Sequence, residues 1–418
     1  MEKTFEKYLV ILNRYQEQPH LIDKHMEEWL SILLVHARNR LSNPTLSRVA
    51  LKFMRLIFKV RGPKEVVKRM PHEISDLVPV LEYLESENLD DPSSWESGYV
   101  LVHWLSILVL NPFSLKLLDD QSQSSSAAVS QRIMDICFKC IVLNNTVGIA
   151  APTLVSKFLS RPDMITVYMK PFMDWACKTI MSGRSCTMGA RLGAFSSLAA
   201  IFKHSKRQEI LPYGQQVLNA VLASKYEQGD SLVKKLTMKL IQRIGMMFLK
   251  TTVAPWRYQR GSRSLFMNMQ KDQPEKKPKE DENSNRPSEE DKYDSYDELS
   301  TYGDAVETVL DKLLSGLREK DTIVRWSAAK GIGRVTNRLP KQYADEVVEN
   351  ILGNFLPREN NQVWHGSCLA IAELGRRGLL LPARLDDVVP EIKKAMVFDE
   401  VIKKKLFFLY VLFFIITD

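Results

Sequence analysis

Cysteine is scarce in this chain. Five cysteines in 418 residues, at positions 137, 140, 177, 186 and 368, are too few and too scattered for a disulfide framework. That excludes the small secreted scaffolds and points to a reducing compartment, with the cytosol as the default. Secretion is not expected either: residues 1–7 alternate charges where a signal would carry a basic start and a continuous apolar stretch. Strict apolar alternation is rare, which argues against half-buried β-strands. The apolar run at residues 406–416 is eleven residues long, well short of the roughly twenty that span a bilayer, so no stable membrane insertion is expected.

Catalytic and cofactor signatures are equally thin. Nowhere does a Gly-Lys-Ser/Thr phosphate loop occur, and Gly331-Ile-Gly333 lacks both the third glycine and the preceding strand of a dinucleotide fingerprint. Cys137 and Cys140 have the spacing of a zinc half-site, but no second Cys or His pair stands at a suitable distance, so they read as buried helix cysteines. The seven histidines are scattered. No residue is assigned a catalytic, cofactor or metal role.

What the chain has in abundance is helical spacing. Met26, Trp29, Leu30, Leu33, Leu34 and Ala37 step by three or four along one helix face. After the break at Asn43-Pro44 a second stripe follows, Leu46, Val49, Ala50, Phe53, Ile57 and Val60, ending at Gly62-Pro63. The same grammar recurs from residue 129 to 248. Further on the chain superposes on itself: Val309, Leu310, Leu313, Leu314 and Leu317 return 38 residues later as Val347, Val348, Ile351, Leu352 and Phe355. A third copy, Val388, Val389, Ile392 and Met396, lies 41 residues beyond. Val324 and Val363, offset by 39, mark the second helices, which are crowded with Ala and Gly, small residues that let helices pack closely. A two-helix unit of 38 to 41 residues belongs to the HEAT or armadillo size class.

The expected fold is therefore all-α, a HEAT/armadillo-type helical repeat solenoid with a disordered charged linker. Its expected parts are an N-terminal helical repeat region at 1–269, the linker at 270–304, HEAT-type repeats at 305–400 and a hydrophobic tail at 401–418 foreign to the solenoid, as in a truncated or alternatively spliced product. The linker is expected because residues 271–298 hold six basic and eleven acidic residues and almost nothing apolar. Since the whole chain carries +8, the remainder carries +13, an excess that favours an acidic partner.

Candidate partner-contact residues come from two places. Trp326 beside Arg325, with Lys330 one turn on, and Trp364 beside His365 stand in successive repeats, where tryptophans either line a partner surface or fill the gap between repeats. Arg257 and Arg260 interleave with Tyr258, as in nucleic-acid binders, but no recognised nucleic-acid fold surrounds them and a partner-facing or solvated turn is preferred. A basic HEAT-type transport receptor or nucleic-acid-associated scaffold remains the alternative class.

Particular runs then carry a resemblance. Lys320-Asp-Thr-Ile-Val-Arg-Trp-Ser-Ala-Ala-Lys-Gly-Ile-Gly-Arg334 and Trp364-His-Gly-Ser-Cys-Leu-Ala-Ile-Ala-Glu-Leu-Gly-Arg-Arg-Gly-Leu-Leu-Leu-Pro382, with Trp256-Arg-Tyr-Gln-Arg-Gly261, are similar to the tubulin-folding cofactor D family. The resemblance implies a cytosolic binding chaperone, not an enzyme, that captures β-tubulin after the chaperonin releases it. It further implies assembly and disassembly of the α/β-tubulin heterodimer with cofactors C and E and an Arf-like small GTPase, and a GTPase-activating role held jointly with those partners. Centrosomes and lateral cell junctions are implied as locations. Against the family pattern the chain lacks the opening segment and ends where members continue through further repeats.

Overall fold

The computed structural model describes residues 2–91, 94–121, 127–224, 230–251, 256–257, 289–357 and 359–402. Regular structure among them is helical throughout, and the chain divides into two compact units, Met1–Tyr226 and Glu227–Asp418.

In the first unit the longer helices are α1 (Glu2–Asn13), α2 (Asp23–Arg38), α3 (Pro44–Arg61), α4 (Leu77–Ser86), α5 (Trp95–Leu108), α6 (Val129–Ile141), α7 (Thr146–Leu159), α8 (Lys170–Met181), α9 (Met188–His204) and α10 (Gly214–Ala223). Each second helix packs on the next, α3 on α5, α5 on α7 and α7 on α9, forming one layer. The first helices α2, α4, α6 and α8 cover it from one side. This is the paired-helix layering expected of repeats.

Sequence explains why the hairpins turn where they do. Asn43 accepts the Leu46 N–H while Pro44 opens α3, and Asn145 accepts the Val147 and Gly148 N–H groups at the start of α7. The Thr187 hydroxyl does the same for Ala190 in α9. Each side chain satisfies helix-start donors that have no partner inside the helix. Gly62, at φ 88°, ends α3 in a backbone conformation that costs other residues a clash.

The stripe expected on α2 is the buried one: Met26, Leu30, Leu34 and Ala37 are all in the core. On α3 burial extends past the expected stripe to Leu51, Met54 and Phe58. The reason is position, since a helix of the inner layer has neighbours on more than one side.

The second unit holds α11 (Ser231–Phe248), α12 (Glu289–Gly316), α13 (Thr322–Thr336), α14 (Lys341–Leu352), α15 (Asn361–Arg376) and α16 (Leu385–Ile402). Its second-helix layer is α11, α13 and α15 in order, with α12 packed on α11 and α13 and α14 on α15. Two expected boundaries shift here. Helix α11, expected to close the region 1–269, packs instead with the helices that follow the acidic segment. Helix α12 already begins at Glu289, inside the stretch expected to be linker; acidic residues are favoured at a helix N-terminus, so charge there is compatible with helix. Residues 258–288 lie outside the described residues, as do 403–418.

The repeat reads out in burial. Val309, Leu313 and Leu317 in the first copy and Val347, Val348, Ile351 and Phe355 in the second are buried. In the third copy Val388 is buried while Val389 is exposed and Ile392 and Met396 are half-buried, because among the described residues no second helix follows α16.

Candidate partner-binding face

The residues singled out by sequence fall into two groups. Arg325 is only 6% exposed and serves the fold. Its guanidinium donates to the carbonyls of Glu319 and Lys320 at 2.8 and 2.7 Å and to the Thr322 hydroxyl, and its Nε donates to His365 Nδ1 at 3.1 Å. His365, accepting through Nδ1, is held neutral: burial and then the Arg325 charge push its pKa down to about 4. Together the pair ties α13 to α15.

Trp364 is 7% exposed, meets Phe355 edge-on at 5.5 Å and donates its indole N–H to the Leu356 carbonyl. Trp326 is 55% exposed, with the Lys330 ammonium 4.4 Å above its ring. The two tryptophans are thus not equivalent: Trp364 fills the core and Trp326 faces outward. Val324 and Val363, both buried, set the register at 39, so Trp364 answers to Arg325 and Trp326 to His365. One residue rotates a helix side chain by about 100°, enough to carry it from core to surface.

Arg257 is half-buried beside Trp256, whose indole N–H donates to the Leu339 carbonyl. Arg260 lies outside the described residues. Cys137 and Cys140 sit in the core of α6, where burial pushes both thiols up, Cys140 to about 12. Among the described residues no cluster of His, Cys, Asp and Glu is arranged to hold a metal ion, and no helix is long and apolar enough to cross a membrane.

What sequence reasoning missed is a row of basic groups carried by the second helices. In the second unit Arg243 of α11, Arg334 of α13 and Arg376 and Arg377 at the end of α15 succeed one another. Arg334 donates to Gln242 Oε1 at 3.1 Å, and Arg338 Nη1 donates to the Met246 carbonyl, fixing both arginines against α11. Glu373 is the carboxylate of this row, taking Arg376 at 2.8 Å and Arg377 at 2.7 Å. Burial and then the Arg334 charge push Arg243 down to about 10. Arg334 is lowered by burial and then by Arg377. Arginines lowered by the next arginine along the row mark a net positive field. Trp326 stands exposed on the same α13, with Ile323, also exposed, one turn before and the half-buried Lys330 one turn after.

The first unit repeats the theme with Arg55 of α3, His103 of α5, Lys157 of α7 and Lys203 of α9. His103 is neutral, pushed to about 4 by burial, then by Lys157 and Arg55. Arg55 lies 4.4 Å over the Tyr99 ring, its Nε buried without a hydrogen-bond partner. Searching the charges rather than the apolar residues for the repeat shift would have exposed part of this: Arg338 and Arg377 are 39 apart.

Two models of one family match the chain: "Tubulin-specific chaperone D-like, ARM repeat" over residues 12–180 and "Tubulin-specific chaperone D-like, ARM repeats" over 232–407. The second runs seven residues past the boundary expected at 400, so the first part of the expected tail lies inside the match. The chain is 27% identical over 510 residues to "Tubulin-specific chaperone D" of Dictyostelium discoideum, covering 94% of this chain and 34% of that protein. It is 26% identical over 423 residues to "Tubulin-folding cofactor D" of Schizosaccharomyces pombe, covering 96% and 34%. The chain therefore spans about a third of the length of these curated relatives. With both matches lying on layered helix pairs and together covering most of the sequence, the chain belongs to the tubulin-specific chaperone D-like family of ARM-repeat proteins.

Proposed function

We propose that this chain acts as a tubulin-folding cofactor that holds β-tubulin on the second-helix row of its second unit. The observation that carries the reading is the run Arg243, Arg334, Arg376 and Arg377, one or two cations per helix with the Glu373 carboxylate among them, on a layer whose α13 also carries the exposed Trp326 and the half-buried Lys330. Tubulin is acidic, and opposite charge speeds encounter, while an exposed tryptophan next to arginines is the composition of a binding hot spot. The names of the relatives support tubulin as the partner.

The finer family roles belong to the same proposal. Cofactors C and E and an Arf-like small GTPase join the chain in the assembly and disassembly of the α/β heterodimer. Any GTPase activation is shared with them, and the setting is the cytoplasm and its cytoskeleton, with centrosomes and lateral cell junctions as further sites.

The test is capture of β-tubulin by the purified 418-residue chain at two salt concentrations, beside Trp326→Ala and the double variant Arg243→Glu, Arg334→Glu. Salt-sensitive capture that both variants weaken at least tenfold, with unchanged melting of Trp326→Ala, supports the reading. Capture that neither variant alters refutes this face. Binding of RNA with a steep salt slope and no tubulin capture favours a nucleic-acid scaffold instead.

A further inference from the structure

In the first unit a groove of about 670 Å³ runs between the turn at residues 110–114 and the C-terminal ends of α7 and α9. Its floor is Arg161, which donates to the carbonyls of Val109, Asn111 and Phe113 at 2.6 to 2.8 Å and forms a two-pronged pair with Asp163. That one side chain fixes the turn and neutralises the groove's carboxylate, which also accepts the Leu115 N–H. Neither charge is left for a ligand.

Lys157 is different. Half-buried on α7, its ammonium reaches only the Ser106 hydroxyl, at 3.5 Å, and among the described residues no carboxylate pairs with it. An ammonium carries three donors, so most of its capacity points elsewhere. Burial, then the charge of Lys203 on the adjacent helix, push its pKa down, so an anion placed here relieves a charge the protein itself leaves uncompensated. Further hydrogen-bonding groups sit within the same wall: His204, whose Nδ1 meets Ser156 Oγ at 2.8 Å, and Ser160, whose hydroxyl meets that of Ser205 at 2.8 Å.

The remaining wall chooses between anions. Leu110, 52% exposed, Pro112 and Pro162 line the groove with apolar surface, which a free phosphate has no use for and a peptide side chain does. We propose that this groove binds an acidic peptide, with a glutamate or aspartate carboxylate on the Lys157 ammonium and a neighbouring apolar side chain against Leu110, Pro112 and Pro162. The site lies in the unit that the tubulin reading does not use and stands or falls apart from it.

The experiment is fluorescence anisotropy of the full chain with a labelled synthetic peptide of alternating glutamate and leucine, competed with inorganic phosphate. Lys157→Met should weaken binding about tenfold or more, the scale of one charge-assisted hydrogen bond, without lowering the melting temperature. Leu110→Asp, at an exposed position, should weaken it as well by repelling the peptide's carboxylates. Equal binding by wild type and Lys157→Met overturns the proposal. Displacement of the peptide by phosphate at matched concentration also overturns it, because the groove then reads only charge.

Discussion

Replacing Gly366 with alanine is expected to cost the second unit about 2 kcal/mol, although the same change at Gly375, nine residues along the same helix, should stabilise it. A Cβ built on Gly366 would stand 2.1 Å from the Leu317 carbonyl oxygen and 2.9 Å from its carbon. Real contacts do not fall below 3.0 Å, so α15 must move away by roughly 0.9 Å. The obstacle is backbone and has no rotamer to escape into. Overpacking of this kind costs about 1–3 kcal/mol and here lies at the upper end, offset by about 1 kcal/mol from alanine's better helix propensity. At Gly375 nothing lies within 4 Å of the added carbon, leaving only the propensity gain. In thermal unfolding followed by circular dichroism, the Gly366→Ala transition should fall by about 5 °C and that of Gly375→Ala rise by about 2 °C. A Gly366→Ala protein melting at or above wild type would refute close backbone approach as the reason for this glycine. The first unit offers a replicate, for a Cβ built on Gly193, sixth residue of α9 as Gly366 is of α15, would stand 2.3 Å from the Ile141 carbonyl oxygen.

Three further outcomes are expected. His103, 5% exposed, is held near 4 by burial against about 6.5 unfolded, so the unfolded chain takes up its proton first. This contribution is complete above pH 6.5 and is lost as pH falls, by about 2 kcal/mol at pH 5; urea midpoints of wild type and His103→Gln between pH 7 and 5 should show the smaller drop in the variant. Glu373→Gln removes the carboxylate that serves Arg376 and Arg377, so the second unit should lose about 1–3 kcal/mol in urea unfolding while any acidic partner binds more tightly at low salt. Asn145→Ala deletes the acceptor for Val147 and Gly148 and should cost about 1 kcal/mol, read as a lower midpoint for the first unit.

How far the sequence reached depends on what each signal measures. Apolar spacing reports burial directly, so the helix stripes at Met26 to Ala37 and the shifted copies from Val309 to Phe355 found their places in the core. Identity of residue type is a weaker guide. Aligning Trp326 with Trp364 gives a shift of 38 and equates two unlike positions, whereas the buried valines give 39 and separate an exposed tryptophan from a core one. Composition misled at Glu289, since acidic residues that look like linker are also good residues for opening a helix. Proximity in sequence misled at Ser231–Phe248, which packs with partners on the far side of the acidic segment. The basic row stayed hidden because each helix contributes only one or two cations, and nothing short of the helix layer brings them together.

The row also bears on why these residues are here at all. Hairpin turns, caps, glycine contacts and the apolar core account for the layered helices without it. Several cations in the two units work against the fold: Arg334 depresses the ionisation of Arg243 and Arg377 that of Arg334, while in the first unit the Arg55 Nε is buried without a partner and Lys157 sits half-buried with a second ammonium as its electrostatic neighbour. Each is a cost in desolvation or like-charge repulsion that a neutral side chain would not carry. Arg325 shows the contrast, since an arginine kept for structure has its donors satisfied by two carbonyls, a hydroxyl and an imidazole. A cation retained at a cost to stability, on a face built from successive repeats, is explained by an anion that arrives from outside, and the stability–binding trade-off at Arg243 and Lys157 is where that explanation has its physical content.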